Sequence, residues 1–84
     1  MRNKFYVTMT DSFMSGWGKA QGKKNKFIVV CDTYEQAAII ERNAHKRGEM
    51  KYINICLNRP RYGQNVVESW RDFSDLGDIW TSEV

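Results

Sequence analysis

The residues best suited to chemistry fall in one stretch: Ser12-Phe13-Met14-Ser15-Gly16-Trp17-Gly18-Lys19-Ala20-Gln21-Gly22-Lys23-Lys24. Three glycines, two large aromatics, a methionine and three lysines lie between two strand-like segments. A hairpin needs only about two to five turn residues, and a connection of about fifteen is longer than compact domains usually carry. Long loops of this kind more often hold function than scaffold. Phe13, Met14 and Trp17 form an anchor set for a protein partner, because tryptophan, tyrosine and arginine dominate interface hot spots. Lys19, Lys23 and Lys24 add positive charge. Arg59, Arg61 and Tyr62 make a second cluster of the same type. A further set, Lys4, Tyr6, Lys51, Tyr52 and Asn54, interleaves aromatics with lysines on the outward face expected of the first and third strands. Such a face can stack bases while neutralising phosphates.

Other chemistries find little support. His45 is the single histidine, on the flank of a helical segment, with Glu41 one turn earlier as ordinary surface pairing. Cys31 and Cys56 have neither the spacing nor the histidines of a zinc site, and they read as reduced, buried thiols. Asp72, Asp75 and Asp78 recur every third residue, but Ser74 and Asp75 read as caps of a helix start. The glycines and lysines of the loop lack the phosphate-loop spacing and precede a strand, not a helix. No catalytic residue, metal or cofactor is expected.

The elements that must position these groups follow from periodicity. Lys4 to Thr10 alternates, with Phe5, Val7 and Met9 on one side. Lys26 to Cys31 is almost continuously apolar and β-branched, which predicts a central strand. Thr33 and Gln36 match a capping box, and the helix is expected from about Tyr34 to Arg47. Ala37, Ile40 and Ala44 share its inner side; Gly48 would end it in a left-handed conformation. Lys51 to Leu57 is the third strand, with Ile53, Ile55 and Leu57 inward. After turn chemistry from Asn58 to Asn65, Val66 to Phe73 is a fourth strand. Residues 74–80 form a closing turn that lays Leu76, Ile79 and Trp80 on the sheet. The expected fold is a single α+β domain over residues 1–84: an antiparallel sheet of about four strands in the order β-β-α-β-β, with one helix on one face. Phe5, Val7, Phe27, Val29, Ile40, Ala44, Ile53 and Ile55 are expected to share one core.

The net charge of +3 is unevenly spread. Residues 1–30 carry +5, residues 51–62 carry +3 and residues 63–84 carry −4. A basic front suits an anionic partner. No signal peptide or membrane-spanning run is visible.

Three runs also carry a resemblance: Phe5-Tyr6-Val7-Thr8-Met9-Thr10-Asp11-Ser12-Phe13-Met14-Ser15-Gly16-Trp17-Gly18, Cys31-Asp32-Thr33-Tyr34-Glu35-Gln36-Ala37 and Met50-Lys51-Tyr52-Ile53-Asn54-Ile55. Over about residues 4–57, and from Asp75 to Trp80, the chain resembles a family of short bacteriophage and prophage proteins with no assigned activity. The resemblance implies a phage accessory protein in a bacterial cytoplasm. The expected role is a non-enzymatic inhibitor of a host defence machine, of anti-CRISPR type. It would act as a monomer or small homo-oligomer that covers a functional surface of a host protein or ribonucleoprotein. The basic charge disfavours DNA mimicry. The alternative is an accessory nucleic-acid-binding protein using the lysine and tyrosine sheet face.

Overall fold

The computed structural model describes residues 4–12 and 23–82. Its elements are β1 (Phe5–Asp11), β2 (Lys24–Cys31), α1 (Tyr34–His45), β3 (Met50–Cys56), β4 (Val66–Asp72), a 3-10 turn (Phe73–Asp75) and the short α2 (Asp78–Thr81). The chain is an α+β domain of two layers, with a four-stranded sheet ordered β3-β1-β2-β4. β2 is central, as its apolar run predicts.

The sheet is mixed, not antiparallel. β1 runs against both β2 and β3, but β4 runs parallel to β2, from Lys24 opposite Val66 to Val30 opposite Asp72. β2, β3 and β4 therefore share one direction, with β3 and β4 on opposite edges. A strand pair of that kind cannot be joined by a tight turn. Residues 57–65 must travel back along the sheet and across β1 and β2. They do so as a strap over the face that α1 leaves open, where Tyr62 lies beside Thr8 and Lys26.

One face of the sheet holds the main core. Val7, Met9, Val29 and Cys31 are fully buried against Ala37, Ile40 and Ala44 of α1, and Phe5, Phe27, Ile53 and Ile55 pack around them. The helix starts as the capping box predicts: the Gln36 amide donates to Thr33 Oγ1 at 3.1 Å. The Gln36 side chain accepts from the Asp32 amide at 2.8 Å, one residue earlier than in the standard box. The helix ends at His45 with Lys46 as a right-handed cap, and Gly48 does not take the left-handed backbone. The closing segment differs in detail. Trp80 is buried and Leu76 packs against the core, but Ile79 is 68% exposed. α2 starts at Gly77 without a side-chain cap, so Ser74 and Asp75 cap nothing and form the 3-10 turn itself. Leu57, one residue beyond β3, is 67% exposed, because the chain leaves the sheet before its phase can carry it inward.

Cys31 lies on the helix face, opposite Phe5, and Cys56 on the strap face, opposite Tyr6. Both are free thiols. Burial, and then the Asp32 carboxylate, pushes the Cys31 thiol up to about 11.

The half-burial of Ile53 grades the core. We expect Ile53→Ala to cost about 2 kcal/mol, the low end for such truncations, and Ile40→Ala, at full burial, about 4 kcal/mol. Urea denaturation midpoints for the pair check this order. Equal losses would mean that the sheet edge is packed as tightly as the helix face.

Candidate nucleic-acid interface

The candidate site is built on the strap face. Even-numbered positions of β1 and β2 point there. So do Asn54 and Cys56 of β3 and Glu68 and Trp70 of β4, through their pairing with Thr8, Tyr6, Lys26 and Ile28. Ile28 is fully buried on this side, and Thr8 and Thr10 are nearly so. The open sheet expected from alternation is therefore partly roofed, and the strap creates a second, smaller core.

The face has two ends of different character. At one end, Arg59 of the strap lies over the Trp70 ring, 4.2 Å from its centroid. Tyr6 meets that ring edge-on at 6.2 Å. The Trp70 indole donates to Glu68 at 2.8 Å. These aromatics already have partners: a stacked guanidinium and a T-shaped ring pair are favourable arrangements in their own right.

At the other end lie three lysines. Lys24 opens β2, Lys26 follows two residues on, and Lys26 and Lys51 are both cross-strand neighbours of Thr10. Lys26 Nζ donates to Thr10 Oγ1. It also sits 5.9 Å from the Tyr52 ring centroid and 5.8 Å from that of Tyr62. Burial, and then the charge of Lys24, pulls the Lys26 ammonium below its usual range. Burial pushes the Tyr62 hydroxyl up, with the neighbouring Thr8 side chain acting against it. Lys4 pairs with Asp32 and Arg47 with Glu49, and neither pair includes a lysine of this cluster. Glu68 faces Lys26 across β4, but its carboxylate also holds the Trp70 indole.

Tyr52 is the unusual residue. The register slips between Thr8 and Thr10, so β3 spends one extra residue opposite β1. Tyr52 takes up this bulge with φ of 54°, the only positive φ at a non-glycine among the described residues. A side chain with a Cβ disfavours that region by about 1–2 kcal/mol, and strained backbone concentrates at functional sites. The ring is 75% exposed. The Asn54 side chain donates to the Tyr52 carbonyl at 3.2 Å and so braces the bulge.

The structure thus brings together only part of each expected set. Lys51, Tyr52 and Asn54 remain grouped, and Lys23 and Lys24 stand near them at the start of β2. Lys4 does not join them. It is at the opposite end of β1, paired with Asp32. Tyr6 is on the correct face but half-buried beside Trp70. Arg59, Arg61 and Tyr62 form the strap, with Arg59 and Arg61 exposed and Tyr62 turned inward. Phe13, Met14, Trp17 and Lys19 lie outside the described residues. Two members escaped the reading of the sequence. Lys26 was legible, because its even position in β2 places it with Lys24; Trp70 was not, because its face depends on the direction of β4.

His45 is exposed on α1, and the described residues hold no group of three or more His, Cys, Asp or Glu side chains placed to share a metal ion. No family model, curated protein or solved structure matches the chain.

Proposed function

We propose that this chain is a non-enzymatic binding module for nucleic acid, working through the lysine end of its strap face. The observation that carries the reading is the exposed Tyr52 ring beside the Lys26 ammonium, with Lys24 two residues before Lys26 on β2 and Lys51 next to Tyr52 on β3. Three ammonium groups on one small surface repel one another, and a polyanion relieves that repulsion while releasing its condensed counterions. None of the helices in the described residues is long and apolar enough to cross a membrane, and we place the module in a bacterial cytoplasm.

Titrating a short labelled oligonucleotide at several salt concentrations tests this. With three phosphate contacts, log affinity should fall against log salt with a slope of about −2 to −3. Changing Lys24, Lys26 and Lys51 together to glutamine should bring that slope close to zero. Wild-type protein that binds no oligonucleotide at low salt rejects the reading.

A second reading keeps the phage resemblance: an inhibitor, of anti-CRISPR type, that covers a functional surface of a host protein or ribonucleoprotein. The exposed, pre-ordered Arg59 on Trp70, with Arg61 beside it on the strap, favours it, since fixed arginines and aromatics make interface hot spots. Under this reading Arg59→Ala shortens the lifetime of a captured complex, and the triple lysine change mainly slows its formation.

A further inference from the structure

We propose that the site takes single-stranded nucleic acid in particular, with one unpaired base stacked on the exposed Tyr52 ring and the adjoining phosphates on Lys24, Lys26 and Lys51. This rests on the nucleic-acid reading above and specifies its ligand.

The argument starts from the bulge. A regular strand would point residue 52 to one face and bury or expose it by alternation. Here one extra residue is inserted, and a tyrosine holds the left-handed conformation that glycine would hold without penalty. The strain is retained at a position where the side chain contributes little burial, since three quarters of the ring faces solvent. Its carbonyl is held by Asn54, and its ring stands 5.9 Å from the Lys26 ammonium. The bulge therefore aims one wet aromatic surface beside a cluster of cations. The ring of Tyr62, at a similar distance from the same ammonium, is turned inward beneath the strap.

That pairing of a largely exposed ring with phosphate-binding cations is the minimal element of single-strand recognition, because every base offers a flat face and stacking tolerates any sequence. A duplex hides those faces inside its own stack and offers only edges and phosphates. The Trp70 end of the face does not compete for a base, since Arg59 and Tyr6 already occupy that ring.

The experiment compares four ligands of equal length on the full chain: a thymidine oligonucleotide, its uridine counterpart, an abasic strand with the same phosphates, and a duplex. Anisotropy is read at fixed low salt. The single strands should bind roughly five- to a hundredfold more tightly than the abasic strand. The DNA and RNA strands should differ little, since stacking reads neither the 2′-hydroxyl nor the methyl group. Tyr52→Gly, which suits φ of 54°, keeps the bulge and should bring the affinity for base-bearing strands down to that for the abasic strand. Wild-type protein that binds the abasic strand or the duplex as well as the single strand overturns this inference and leaves the nucleic-acid reading standing. A Tyr52→Gly protein that still prefers bases also overturns it. Failure to bind any of the four ligands removes both.

Discussion

Trp80→Ala should lower stability by about 3–5 kcal/mol. Trp80 belongs to a four-residue helix that has no side-chain cap of its own. Its ring lies 5.3 Å from that of Phe27, and the Arg47 guanidinium covers it at 4.9 Å. Arg47 is itself fixed by Glu49 at 2.9 Å. One side chain thus joins the closing segment to β2 and to the end of α1. For a domain of this size, each kcal/mol shifts the melting temperature by about 4–8 °C. The alanine variant should therefore melt more than about 10 °C below wild type, and Trp80→Phe should recover much of the difference. A melting temperature within about 2 °C of wild type would show that the segment from Phe73 to Thr81 is not held by this ring.

Asn43→Ala is the second large effect, at about 2–3 kcal/mol. Asn43 is a buried polar residue on the inner side of α1. Its side-chain amide donates to the Trp80 carbonyl at 2.7 Å and to the Ser82 carbonyl at 3.0 Å. Alanine removes both donors and leaves the buried Trp80 carbonyl without the Asn43 bond. Asn43→Asp sharpens the test. An ionised carboxylate has nothing to donate, and two carbonyl dipoles together with burial raise its folded pKa above the unfolded value of about 3.9. A raised folded pKa means that the contribution is fully present below the unfolded pKa and lost as pH rises through the folded one. The stability gap between wild type and the aspartate variant should therefore widen from pH 4 to pH 7. A gap independent of pH would mean that the side chain at 43 has turned away from the carbonyls.

Much of the fold was legible because it depends on alternation and capping, which are local. Val7, Met9, Val29, Ile40 and Ala44 declare their phase directly in the residue pattern. Thr33 and Gln36 announce the helix start. The direction of β4 is not local. Asn58 to Asn65 contains the proline, glycine and asparagine of a tight turn, and the same composition serves a strap that crosses the sheet. Once that strap is present, Thr8 and Thr10, polar residues on the side expected to face water, become buried. The site was half legible for the same reason. Lys51-Tyr52-Ile53-Asn54-Ile55 alternates without a break, so nothing in it signals a bulge. The slip arises only when β3 must match β1. Leu57 and Ile79 failed because hydrophobic phase says which way a residue would point, and not where the element stops.

The parallel pairing of β2 with β4 also leaves one strand edge open while the chain assembles. β1 and β2 close through partners 16–26 residues apart, whereas the β1–β3 pairs lie 39–50 residues apart and the β2–β4 pairs 42. Contacts so distant in sequence form late and slowly. Until they form, one edge of the most apolar strand carries unpaired amides and carbonyls beside Phe27, Ile28 and Val29. Such an edge is a template for joining the same strand of another molecule. Kinetic partitioning between productive closure and intermolecular β-pairing would then favour aggregation in proportion to chain concentration. Refolding yield, more than equilibrium stability, should respond to changes in the length of the 57–65 crossing.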